Sequence, residues 1–160
     1  MDIQSAKKWA LGYGNGEHVN NYSMPAGYSK TPLAKKLGLK QDFKVVLYNM
    51  PENYFNLFTD LPTSFEMLGE LNPQSADFIH LFCTWSNELK DIVLEHKRAL
   101  KKGGLLWISW PKGSSKIQTD LNRDKIREYV LSIGLVDVKV AAIDEDWSGL
   151  KFVYRVRDRK

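Results

Sequence analysis

Three short, nearly unbroken apolar runs stand out along the chain: Lys44 to Met50, holding Val45, Val46, Leu47 and Tyr48, then Asp77 to Thr84, then Leu105 to Trp110. Their length and their β-branched and aromatic content predict strands buried on both faces, as in a parallel sheet, and Pro51 ends the first of them. Between the second and third runs the period becomes helical. Leu89, Ile92, Val93, His96 and Leu100 share one face, Ser86 stands where a cap is needed, Glu88 suits the positive end, and Lys101 and Lys102 precede Gly103, where the helix is expected to stop. A second helix is predicted from a cap at Asn122, with Ile126, Tyr129, Val130 and Ile133 inward and Gly134 at its end. Thr31 and Pro32 read as the start of a short helix that presents Leu33 and Leu37, followed by Leu39. Residues 53 to 59 predict one or two helical turns, and Phe65 to Gly69 a short strand. The chain closes with strands at Val136 to Ile143 and Lys151 to Val156, joined by Asp144 to Leu150, a connection short enough for a hairpin, so the last strand is expected to be antiparallel.

Strands alternating with helices define the fold class: α/β, a mostly parallel Rossmann-like sheet with helices on both faces, right-handed crossovers and an antiparallel C-terminal strand. Residues 1–26, polar and Gly/Asn-rich after a helical stretch at Ala6 to Leu11, read as an N-terminal arm that could join subunits, and residues 27–160 as a single domain. Composition adds exclusions. No apolar run approaches the ~20 residues that span a bilayer, and the N-terminus lacks a secretory apolar region. The single cysteine, Cys83, sits in an apolar run, which fits a reducing, cytoplasmic setting. A net charge of +4, mostly dispersed, argues against nucleic acid as a partner. That reading changes only if the basic C-terminal residues Lys151, Arg155, Arg157, Arg159 and Lys160 share a face with Lys139 and Lys112.

The stretch from 86 to 112, an amphipathic helix followed by ALKKGGLLWISWP, resembles the later half of class I methyltransferases, where a helix ends in Gly-Gly before a strand. The final helix-strand-strand unit resembles their closing antiparallel hairpin. More narrowly, GYSKTPLAKKLGL, WPKGSS, TDL and GLVDVKVAAIDEDWSGLKFVYR resemble a bacterial family of unknown function over about residues 27–157, a likeness that implies no activity. The methyltransferase resemblance implies S-adenosylmethionine, held by a Gly-rich turn after the first strand and by an acidic residue ending the second, which takes the ribose. Here the turn reads NMPENYF: it has no glycine, and Pro51 lacks a backbone donor. Only about 27 residues separate the first central strand from Asp77. Two full strand-helix units need roughly 50. Glu66 or Glu70 remain as ribose acceptors, but the expectation is a shortened scaffold with no cofactor, S-adenosylmethionine being disfavoured.

Ligands of open α/β sheets bind beyond the carboxyl ends of the parallel strands. That rule collects Asn49 and Glu52, then Thr84 and Trp85, then Trp110, Lys112, Ser114, Ser115 and Lys116, and finally Asp144, Glu145, Trp147 and Ser148. Three of the five tryptophans converge there, and Lys112 with the two serines could hold an anion or carboxylate; the plainer reading is that the tryptophans pack under loops. The acidic run Asp144 to Asp146 alternates sides, so it supplies no carboxylate pair, and His18, His80 and His96 show no metal-ligand spacing with one another or with Cys83. Cys83 and His80 face opposite sides of their strand, which excludes a nucleophile pair. The expected function is a non-catalytic domain binding a small anionic ligand or a protein partner, with an atypical S-adenosylmethionine-dependent methyltransferase as the alternative and a weak nucleic-acid binder third. The turn from Asn49 to Tyr54 discriminates the first two: open in an enzyme, filled by Tyr54 and Phe55 in a degenerate domain.

Overall fold

The computed structural model describes residues 30–159; the expected arm, with its helical stretch and His18, lies outside the described residues, as does Lys160. In chain order the elements are α1 (Leu33–Leu37), β1 (Lys44–Tyr48), a 3-10 turn (Tyr54–Leu57), β2 (Glu66–Met67), β3 (Ala76–Phe82), α2 (Ser86–Ala99), β4 (Leu100–Pro111), α3 (Arg123–Ser132), β5 (Leu135–Ala142) and β6 (Trp147–Tyr154). A second 3-10 turn, Val156–Asp158, follows β6. The six strands form one sheet in the order β2-β1-β3-β4-β6-β5. Strands β2, β1, β3 and β4 run parallel, and β6 is antiparallel to both of its neighbours, so the expected α/β class holds. Among the described residues no helix is long and apolar enough to cross a membrane.

Alternation along the strands builds one core on each face of the sheet. Ile79, Leu81, Leu106 and Ile108 join Val93 of α2 and Val130 of α3 on one side, while Phe78, Phe82 and Trp107 join Leu37 of α1 and Tyr54 and Phe55 of the 3-10 turn on the other. His80 falls on the α1 face and Cys83 on the α2/α3 face, as the strand period requires.

Several boundaries differ from those read in the sequence, for local reasons. Helix α2 ends at Ala99, and Leu100 opens β4 directly, so Gly103 and Gly104 lie inside a strand instead of stopping a helix. A Cβ on Gly104 would sit 3.1 Å from the carbonyl oxygens of Ala76 and Asp77, where the β3/β4 register shifts; glycine there permits the bulge. Pro32 occupies the cap position of α1, and the amides of Ala34 and Lys35 donate to the carboxylate of Asp60, each at 2.9 Å. The β5–β6 turn is tighter than expected. Asp144 Oδ1 accepts from the amides of Asp146 and Trp147, both at 2.8 Å, which places Trp147 and Ser148 in β6 itself.

Helix α3 begins as its sequence predicts, with Asn122 accepting from the Lys125 amide at 2.9 Å. Replacing Asn122→Ala is expected to cost about 1 kcal/mol, read as an earlier urea midpoint; no change would show that the cap adds nothing to this helix.

The connection from β2 to β3 decides the shape of the ligand end. Parallel strands are usually joined by a dozen or more residues including a helix. Here the chain crosses in residues 68–75 without one, Leu68 and Leu71 packing on the α2/α3-face core. The sheet therefore ends at the two-residue strand β2, where a doubly wound sheet carries a further strand.

Candidate functional site

The chain turns from β1 to β2 on one side and returns to β3 on the other, so the switch point lies between the carboxyl ends of β1 and β3. Immediately after β1, Asn49 takes φ 55°, the left-handed conformation usually left to glycine. Asparagine is among the non-glycine residues most at ease there, and its side-chain amide donates to the Phe82 carbonyl at 3.3 Å, tying the two strand ends together. Asn49 and Glu52 are both exposed. Tyr54 and Phe55 are buried in the α1-face core, the Tyr54 hydroxyl on His80 and the Phe55 ring stacked on Phe65. The turn thus has one left-handed residue directly after β1, and its two aromatics are taken up by the sheet face.

Across the crevice, Glu88 organises the end of β3. Its carboxylate accepts from the Tyr48 hydroxyl at 2.8 Å and from the Thr84 amide at 3.1 Å. Burial and that carboxylate push the Tyr48 phenol up to about 12, and burial with the nearby Glu88 charge does the same to the Cys83 thiol, so both stay protonated at neutral pH. Ser86 donates through both its amide and its hydroxyl to Asp120, and Thr119 donates to the Thr84 carbonyl at 2.6 Å, which locks the β4–α3 loop onto this edge. Between these contacts the ring of Trp85 stays 46% exposed.

The predicted residues divide into three groups. Trp110, Lys112 and Ser115 line a cavity of about 380 Å³ between the end of β4 and the start of α3, with Gln118, Thr119 and Asn122. Ser115 donates to Asp146 at 2.9 Å, and Lys112 donates its amide to the Asp146 carbonyl, which joins this loop to the β5–β6 turn; Ser114 and Glu145 are exposed beside it. Trp147 lies elsewhere: its ring meets Phe82 edge-on at 5.0 Å on the α1 face, whereas Trp110 packs in the core on the α2/α3 face. Ser148 pairs with Trp110 across β4 and β6, and Asp144 is held in its turn. Trp85, Trp110 and Trp147 therefore share an end of the sheet without sharing a wall. Glu88, a favourable charge at the start of α2 in the sequence, has a bridging role that no local signal carries, since its partner Tyr48 is 40 residues away; the same holds for Asp120, 34 residues from Ser86. Among the described residues no group of three or more His, Cys, Asp or Glu side chains could hold a metal ion.

Neither a protein-family model nor a curated protein sequence matches the chain. Solved structures do match it. One is a SAM-dependent methyltransferase from Aquifex aeolicus, with TM-score 0.56 and 14% identity over 95% of this chain and 98% of that one. Another is magnesium protoporphyrin IX methyltransferase from Synechocystis PCC 6803 with bound SAH, with TM-score 0.52 and 8% identity over 77% of this chain and 79% of that one. These likenesses correct the expectation of no cofactor: the shortened crossover and the glycine-free turn leave the chain among folds that use S-adenosylmethionine. At this end of the sheet the residues that bear on such a cofactor are Asn49, left-handed directly after β1, and Glu70, exposed three residues beyond β2. The fold of this chain is that of the class I S-adenosylmethionine-dependent methyltransferases.

Proposed function

We propose that this chain is an atypical S-adenosylmethionine-dependent methyltransferase that holds the cofactor between the carboxyl ends of β1 and β3. The observation that carries the reading is Asn49 at φ 55°, which preserves at the switch point the turn that a glycine ordinarily makes. In this reading Glu70, exposed beyond β2, accepts from the ribose hydroxyls, and exposed Trp85 offers a flat surface to the adenine or to the group being methylated. Bound S-adenosylmethionine supplies a methyl group on a sulfonium; the chain's own part is to position and dry the acceptor. The cavity lined by Trp110, Lys112 and Ser115 has the room and polarity for an anionic or hydroxyl-bearing acceptor.

Thermal unfolding with S-adenosylmethionine and S-adenosylhomocysteine tests this. At a hundred times its dissociation constant a ligand adds about 2.7 kcal/mol. For a domain of this size each kcal/mol moves the midpoint by roughly 2 to 4 °C. Asn49→Gly is expected to keep the shift. Asn49→Val, a β-branched residue at positive φ, is expected to abolish it and to cost about 1 to 2 kcal/mol without ligand. A wild-type midpoint unmoved by either compound would sink the proposal.

A further inference from the structure

On the α1 face, lysines crowd one patch. Lys139 of β5 and Lys151 of β6 are direct cross-strand partners, a like-charge pairing that weakens a sheet. The Lys36 ammonium, on the last turn of α1, donates to the Ala142 carbonyl at 3.1 Å, and Lys139 donates in turn to the Lys36 carbonyl at 3.0 Å. The Lys151 ammonium lies 5.8 Å from the ring centre of Trp107. Burial, with the charges of Lys139 and Lys112, holds Lys36 below its ordinary pKa; burial, with Lys139 and Lys40, does the same to Lys151. Each of these cations thus feels others of its own sign. Among the described residues none of Lys36, Lys40, Lys139 and Lys151 makes an ion pair, although Lys101 finds Asp77 at 3.0 Å.

Folding gains nothing from gathering like charges that no ion pair offsets among the described residues. Backbone carbonyls fix the ammonium groups of Lys36 and Lys139; Lys36 is buried, so the exposed Lys139 and the half-buried Lys151, each with three donors, are the ones that keep protons for an external acceptor. The C-terminal arginines do not extend the patch. Arg155 is directed to the Leu131 carbonyl of α3, Arg157 to Asp158 and Arg159 to the Tyr154 carbonyl. The charge is therefore compact, whereas a nucleic-acid backbone would call for a longer stripe.

We propose that Lys139 and Lys151, with the buried Lys36 adding its charge behind them on α1, form a binding site for the clustered phosphates of a small ligand, on the face of the sheet covered by α1. The proposal does not depend on the methyltransferase reading.

Isothermal titration of the full chain at low ionic strength, with tripolyphosphate as the probe and a single-stranded oligonucleotide as the second arm, tests it. Wild type is expected to bind tripolyphosphate. Lys139→Gln and Lys151→Gln are each expected to weaken it about tenfold or more, the effect of one charge-assisted hydrogen bond. Lys90→Gln, on α2 and the opposite face, is expected to leave it unchanged. Without ligand, Lys151→Gln is expected to unfold no earlier than wild type, because it relieves the Lys139 repulsion; this variant keeps the test interpretable should Lys139→Gln disturb α1. Equal binding by Lys151→Gln and wild type, equal weakening in Lys90→Gln, no binding of tripolyphosphate, or binding of the oligonucleotide alone would each overturn the proposal.

Discussion

Acidification is expected to strip stability from this fold through one buried imidazole. His80 is fully buried, with the Tyr54 hydroxyl 2.9 Å from Nδ1 and the Ser109 hydroxyl 2.7 Å from Nε2. A neutral imidazole needs one donor and one acceptor, and a hydroxyl can be either, so the three groups satisfy one another. Burial lowers the His80 pKa from 6.5 to about 3 in the folded protein. The unfolded chain therefore takes up the proton first as pH falls. The stability that the neutral form confers is complete above pH 6.5 and is lost progressively down to about pH 3. The slope for one proton is about 1.4 kcal/mol per pH unit, or roughly 3 kcal/mol between the unfolded pKa and pH 4. Urea unfolding of wild type and His80→Gln at neutral pH and at about pH 4 isolates the effect, since carboxylate titration is common to both. Burial also lowers His96, whose ring is bonded to the Ile92 carbonyl at 2.8 Å, so His96→Gln is the companion that separates the two histidines. Parallel loss of stability in wild type and His80→Gln would show that His80 is not the group responsible.

How much of this was legible in the sequence depended on whether each interaction was local. The helix at Asn122 could be read because its cap lies three residues from the amide it receives, and the β1, β3 and β4 strands because an apolar run needs no partner to declare itself. Gly103 and Gly104 misled because glycine has two uses, ending a helix or admitting a neighbouring backbone, and only the position of Ala76 and Asp77 chooses between them. The turn after β1 was hard to read because the absence of glycine does not exclude a left-handed residue, and asparagine takes that backbone at Asn49. The tryptophan edge failed on parity: Trp110 and Trp147 lie near each other along the sheet, but strand alternation sends their rings to opposite faces. The lysine patch was out of reach altogether, since α1, β5 and β6 supply its members and no spacing along the chain links Lys36 to Lys139, 103 residues away.

Replacement of Trp107→Ala should have the largest effect of any single change considered, because this residue joins the sheet to α1. Its ring is fully buried on β4, and its Nε1–H donates to the Leu37 carbonyl at 2.7 Å, across 70 residues of chain. Gly149 is the counterpart that makes room: a Cβ there would stand 3.1 Å from both the Trp107 ring and the Ser109 hydroxyl. Removing a buried indole costs about 3 to 5 kcal/mol through lost contacts and the cavity left behind. The abandoned Leu37 carbonyl adds a penalty on the order of 1 kcal/mol wherever water cannot reach it. Against a total of about 5 to 15 kcal/mol for an ordinary domain, that is a large share, and the thermal midpoint should fall by roughly 10 °C or more. Trp107→Phe separates the contributions, losing the hydrogen bond and one ring but keeping most of the buried volume, so it should cost clearly less than Trp107→Ala, on the order of 2 kcal/mol. The same pair reaches the lysine patch, because α1 carries Lys36 and is anchored at Leu37. If the anchor sets the patch, a folded Trp107→Phe protein binds tripolyphosphate more weakly than wild type in proportion to its loosened α1. A Trp107→Ala protein that unfolds within about 1 kcal/mol of wild type would mean that α1 is held by its other contacts, Asp60 and Ala142 foremost.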